Sequence, residues 1–170
     1  MASFEPIGGY SNLEYDLETG KRGKRDSHTS FLLEQLLGVP AIVVNNNAAA
    51  TFLVLRVLAA DGEVLVSRGE LVEIGDGFRI PDIMSESGAK LVEVGSTNKT
   101  RINDYQRALG PRTRLLMRVH PSNFHITGFT GKPELRELAT LAREANLPLY
   151  DDLGSGCLVD LKAYGVEEPL

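Results

Sequence analysis

The residues with most chemistry to offer lie near the end of the chain, in Leu147-Pro-Leu-Tyr-Asp-Asp-Leu-Gly-Ser-Gly156. An apolar stretch of strand character runs into two adjacent carboxylates, Asp151 and Asp152, and then into a Gly-Ser-Gly turn. In an open α/β sheet, ligands bind in the crevice outside the carboxyl ends of the strands. A carboxylate placed there is costly to a fold and useful to a ligand. A solvated strand end with a turn is the plainer reading of the same residues.

Other groups converge on the same expected edge. Asn45-Asn-Asn-Ala-Ala-Ala50 follows an apolar run and opens a helical one, and small residues there let backbone N–H groups approach an anion at the positive helix end. One asparagine would suffice as a helix cap, so three in a row ask for a further use. Val119-His-Pro-Ser-Asn-Phe124 brings an imidazole, a hydroxyl and an amide to a strand end, although Pro and Asn also suit a plain turn. Ser67-Arg-Gly-Glu70 adds the Arg68 guanidinium, whose ordinary use is a surface ion pair. Gly20-Lys-Arg-Gly-Lys-Arg25 is a basic cluster, read either as a solvated turn or as an anion site. A phosphate cradle beside a carboxylate suits pyridoxal phosphate, because an Asp facing the pyridine nitrogen keeps that nitrogen protonated. A P-loop is excluded, since Gly-x-x-x-x-Gly-Lys-Ser/Thr does not occur. Gly75-Asp-Gly-Phe-Arg-Ile80 and Gly154-Ser-Gly156 begin like dinucleotide fingerprints, but Ile80 and Val159 stand where the third glycine belongs. His28, His120 and His125 sit far from any cysteine pair, which argues against zinc.

Positioning these groups takes alternating strands and helices. Strands are expected at 41–45, 63–67, 90–95, 114–120 and 147–152. Helices are expected from Ser27-His-Thr-Ser30 to Gly38, and over 48–59 (Phe52, Leu55, Val57 and Leu58 inward), 79–88, 101–109 and 132–146. That order means βαβ units and a mostly parallel sheet with helices on both faces, an α/β fold. Residues 1–26 read as an extended arm and 27–170 as the sheet-bearing domain. A chain of 170 residues, 42% hydrophobic, is long enough for one real core. A net charge of −5 argues against wholesale coating of nucleic acid. One cysteine, Cys157, cannot form an internal disulfide, so a reducing, cytoplasmic setting is expected. The sequence has no bilayer-length apolar run and no signal-peptide pattern at its start.

Several blocks together resemble a known family. Gly9-Tyr-Ser-Asn-Leu-Glu-Tyr-Asp-Leu-Glu-Thr-Gly-Lys-Arg-Gly23, Val44-Asn-Asn-Asn-Ala-Ala-Ala50, Ser67-Arg-Gly-Glu-Leu-Val-Glu-Ile-Gly75, Phe78-Arg-Ile-Pro-Asp82 and Asp152-Leu-Gly-Ser-Gly-Cys-Leu-Val-Asp-Leu161 are similar to bacterial selenocysteine synthases, the L-seryl-tRNA(Sec) selenium transferases. The resemblance implies an aspartate-aminotransferase-like (fold type I) large domain and pyridoxal 5'-phosphate as cofactor. It implies conversion of seryl-tRNA(Sec) to selenocysteinyl-tRNA(Sec) with selenophosphate, through a dehydroalanyl intermediate, by a homo-oligomeric enzyme. It also implies roles: Asp152 at the pyridine nitrogen, with Asp151 as the alternative; Asn46, Asn47 and Ala48 at the phosphate; Asn123 at the ring hydroxyl; Arg68 and Arg22 or Arg25 at selenophosphate.

One departure from the family pattern stands out. The family's Schiff-base lysine lies beyond the segment of Asp152, and none of Lys21, Lys24, Lys90, Lys99, Lys132 and Lys162 fits its place. The chain is therefore expected to be an internal piece of the large domain, inactive alone. Two other readings stay open: a related pyridoxal-phosphate lyase acting on a small amino acid or sugar acid, and a non-catalytic α/β module.

Overall fold

A computed structural model describes residues 11–74 and 77–165. The chain divides into two compact units, Met1–Val43 and Val44–Leu170. The first holds helix α1 (Ser27–Leu37), closed by Gly38 in the left-handed conformation. Ser27-His-Thr-Ser30, residue types suited to capping a helix, lie inside this one: Asp26 precedes it without a side-chain cap, and the Ser27 hydroxyl donates back to the Lys24 carbonyl. Its apolar stripe is not buried, and Phe31 is 63% exposed. Residues 12–23 form turns joined by a bridge between Tyr15 and Arg22.

In the second unit, α2 (Asn47–Ala59) leads to β1 (Glu63–Ser67), a short hairpin of β2 (Glu73–Ile74) and β3 (Phe78–Arg79), and α3 (Ile80–Ser87). β4 (Lys90–Val94), α4 (Ile102–Ala108), β5 (Thr113–Val119), α5 (Leu135–Glu144) and β6 (Leu149–Asp152) follow. The main sheet has the order β4-β1-β5-β6, and every neighbouring pair is parallel. The expected strand at 41–45 does not form. A strand persists only where a neighbour takes its backbone hydrogen bonds, and none of the described strands pairs with this segment.

Two apolar layers sandwich the sheet. Val64, Val66, Leu115, Met117 and Val119 face Leu55 and Ala59 of α2 and Ile80 and Met84 of α3. Leu65, Val94 and Leu116 face Tyr105 of α4 and Leu138, Leu141 and Ala142 of α5. Each such fully buried side chain stabilises the fold by about 1.5–3 kcal/mol. The buried stripe of α2 is Thr51, Leu55 and Ala59, four residues apart each time. Of the expected inward set only Leu55 is buried, and Phe52, Val57 and Leu58 are exposed. α2 is apolar around most of its circumference, so the sequence could not choose its inward face. The chain leaves β1 for β4 on one side and then crosses to β5 on the other. β1 and β5 therefore flank the topological switch point, where open sheets place their ligand crevice.

Candidate functional site

Asp152 ends β6 at 3% exposure, and its carboxylate collects three hydrogen bonds. Asn47 Nδ2 donates to Oδ1 at 2.8 Å and the Gly154 amide to the same oxygen at 2.9 Å. The Thr51 hydroxyl donates to Oδ2 at 3.1 Å. The Tyr150 hydroxyl lies 3.0 Å from Thr51 Oγ1, and since Thr51 spends its proton on Asp152, Tyr150 is the donor there. A carboxylate offers about four lone-pair positions, so one remains for a ligand N–H.

The local sequence explains this clasp. Side chains alternate across a strand, so Tyr150 and Asp152 share the α2 face while Asp151 points to the other. There Asp151 meets Arg118 Nη1 at 3.4 Å, and burial pushes its carboxyl above the usual range against the pull of that guanidinium. Between the two carboxylates, the pleat gives α2 to Asp152. Gly154 turns with φ +66°, and a Cβ there would stand 2.5 Å from Ser122 Oγ. Only glycine lets the backbone N–H sit this close under the carboxylate.

The three asparagines divide their work. Asn46 caps α2 by accepting from the Ala49 amide at 2.9 Å, and its carbonyl takes the Ala50 amide. Asn47 clasps Asp152 and also donates to the Gly154 carbonyl at 3.3 Å. The backbone N–H groups of Asn47 and Ala48 are left without a partner among the described residues. Two unpaired donors at a helix N-terminus make an anion slot. Cradle and carboxylate thus share one rim, joined by a single hydrogen bond. These residues fit pyridoxal phosphate: an acceptor for its pyridinium and an anion slot for its phosphate.

The remaining expected residues sit elsewhere. Arg68 pairs through Nε with Glu93 of β4 at 2.8 Å, toward the sheet edge opposite β6. Asn123 donates from Nδ2 to the Glu73 carbonyl at 3.2 Å, tying its loop to β2. Arg22 and Arg25 both pair with Glu14 in the first unit, and Arg25 chiefly holds the Glu14 carboxyl below its usual range. Sequence reasoning missed Thr51 and Tyr150. The signal for Thr51 was its place one helical turn after Asn47, and for Tyr150 its place two residues before Asp152. It also missed Glu70, 8% exposed after β1, which accepts the Val119 amide at 3.2 Å and is pushed up to about 7 chiefly by burial. Among the described residues, no cluster of His, Cys, Asp and Glu could hold a metal, and no helix is long and apolar enough to cross a membrane.

Solved structures share this architecture. D-glucosaminate-6-phosphate ammonia-lyase superposes with TM-score 0.71 over 88% of this chain and 45% of its own, at 19% identity. The aminotransferase TlmJ from Streptoalloteichus hindustanus gives TM-score 0.53 over 78% of this chain and 35% of its own, at 22% identity. The class is the aspartate-aminotransferase-like α/β fold, of which the chain matches less than half of each neighbour. Within that class the sequence match is specific. The L-seryl-tRNA selenium transferase (SelA) family model matches residues 2–170, and the chain belongs to that family. It is 57% identical over 166 residues to the L-seryl-tRNA(Sec) selenium transferase of Moorella thermoacetica, covering 97% of this chain and 35% of that protein. It is 54% identical over 168 residues to that of Aquifex aeolicus (strain VF5), covering 97% and 37%. The chain thus spans about a third of the length of the curated relatives it matches.

Proposed function

We propose that this chain is the cofactor-holding part of a cytoplasmic, homo-oligomeric selenium transferase that converts seryl-tRNA(Sec) to selenocysteinyl-tRNA(Sec) with selenophosphate. The observation that carries the reading is the 2.8 Å hydrogen bond from Asn47 to Asp152, which joins an anion slot to a buried carboxylate on one rim. Asp152 would accept the N–H of the ring in a charge-assisted hydrogen bond, and Thr51, Asn47 and the Gly154 amide hold Asp152 in place. Asn46, Asn47 and Ala48 shape the end of α2 that receives the phosphate. Asn123, whose Oδ1 is free of partners among the described residues, is the candidate for the ring hydroxyl. Bound there, pyridoxal 5'-phosphate supplies an electron sink that makes the α-proton of an amino acid acidic and lets a β-substituent leave.

The guanidinium groups of Arg68, Arg22 and Arg25 suit a tetrahedral oxyanion such as selenophosphate. Each is held here by an exposed carboxylate, Glu93 or Glu14, that an incoming anion would displace. None of the chain's lysines matches the Schiff-base place that the family resemblance implies, so non-covalent binding is the expected outcome for this stretch alone.

The test is pyridoxal phosphate binding by the chain, followed by equilibrium dialysis. Asp152→Asn and Asn47→Ala should each weaken it about tenfold or more, the loss of one charge-assisted hydrogen bond. Borohydride treatment should leave no single lysine adduct in the intact mass. Binding indifferent to both substitutions sinks the proposal, and one specific lysine adduct sinks its non-covalent part. In the full-length enzyme, the same substitutions should abolish selenocysteinyl-tRNA formation.

A further inference from the structure

A second cavity, of about 200 Å³, opens over the ends of β4, β1 and β5, at the switch point. It is smaller than the roughly 300–1,000 Å³ of drug-sized sites, which suits one nucleoside rather than a run of bases. The Glu70 carboxyl lines it. Its Oε2 accepts the Val119 amide, while Oε1 has no partner among the described residues. Since no fully buried side-chain oxygen or nitrogen there lacks a partner, Oε1 is not sealed from solvent. Phe124 and Ile126 line the cavity with apolar surface, and Lys99, whose Nζ lies 3.8 Å from the centre of the Phe129 ring, and Lys132 line it too.

We propose that this cavity receives the 3'-terminal adenosine of the aminoacylated RNA, with the Glu70 carboxyl reading the base. This rests on the function proposed above. A seryl group esterified to that nucleoside reaches the Asp152 rim only if the nucleoside itself is held close by. Glu70 rests on the backbone of Val119, next to His120, whose amide donates to the Asp152 carbonyl. The cavity is therefore one strand away from the cofactor clasp. A neutral carboxyl can donate from one oxygen, as a glutamine amide donates from its nitrogen to a ring nitrogen of adenine. With Oε2 engaged by the Val119 amide, Oε1 carries the proton and donates. Phe124 supplies a stacking face, and the two lysines suit the 5'-phosphate.

The protonated form is available near neutral pH because burial raises Glu70 to about 7, against Arg118 of β5 and Lys132, which pull it down, and with Asp151 of β6 adding to the rise. Tyr105 of α4 also faces it, and Lys99 and His125 share the cavity.

The test is an NMR titration of the 170-residue chain with adenosine, which does not titrate in the range used. Binding should fall about tenfold between about pH 6 and about pH 8, as the protonated fraction of a group near 7 falls. Glu70→Gln should keep adenosine binding and lose the pH dependence, and Glu70→Ala should weaken it about tenfold at the lower pH. Uridine binding as well as adenosine, shifts confined to the start of α2, or a pH dependence that survives in Glu70→Gln would each overturn the proposal. Pyridoxal phosphate binding is read separately through Asp152 and Asn47. Adenosine failing while the cofactor still binds removes only this inference; the reverse removes only the cofactor reading.

Discussion

Two carboxyl groups are buried along the same rim, and the fold serves them in opposite ways. Asp152 is surrounded by donors from three directions: a helix, a turn and, through Thr51, its own strand neighbour Tyr150. Glu70 has one backbone donor and is left with an oxygen that bonds to nothing described. Burial is nearly equal, 3% against 8% exposure. Burial alone thus does not decide what a carboxyl does; the count of donors around it does. Asp152 meets three donors, while Glu70 meets one and is raised to about 7 chiefly by burial.

The sharpest way to break this contrast is Asp152→Ala. It leaves Asn47, Thr51 and the Gly154 amide without their acceptor, and urea unfolding should register a loss of about 2–4 kcal/mol. If the loss is slight, the clasp is not what orders the rim. Next comes Gly154→Ala, which forces a Cβ to within 2.5 Å of Ser122 Oγ at a φ of +66°. About 1–3 kcal/mol should be lost in the same measurement.

Glu70→Gln tests the other half through pH. The folded chain raises Glu70 from 4.5 to about 7, so the folded state favours the neutral form. That contribution is fully present below about pH 4.5 and is lost as pH rises toward about 7 and beyond. Glu70→Gln is neutral throughout. Its unfolding free energy should match the parent in acid and exceed it by about 1–3 kcal/mol above about pH 8. A constant difference at all pH values would show that Glu70 is not the buried neutral group. The smallest effect is expected at the exposed Glu14 cluster: Arg25→Ala should leave the thermal midpoint unchanged, since pairs in solvent contribute little. A clear drop would mean that this cluster is more than a surface feature.

Much of this was legible in the residues. Alternating apolar runs and amphipathic stretches gave four of the five expected sheet strands and a parallel sheet. The Asp-Asp-Leu-Gly-Ser-Gly and Asn-Asn-Asn-Ala blocks marked both halves of the clasp. The failures have local causes. The segment 41–45 has strand composition but finds no described partner, and pairing is a tertiary event. Thr51 was hard to place because α2 is apolar on most sides, so only its position one turn after Asn47 marked the inward face.

The sequence by itself determined which chemical groups the chain owns and the order of its elements, because periodicity and capping act over a few residues. Only the tertiary structure decided that Asn47 and Asp152, 105 residues apart, meet at 2.8 Å. It alone separated Asp151 from Asp152 and buried Glu70 beside Val119. Those outcomes depend on strand order, pleat and the loss of water around a carboxyl, none of which is written in neighbouring residues.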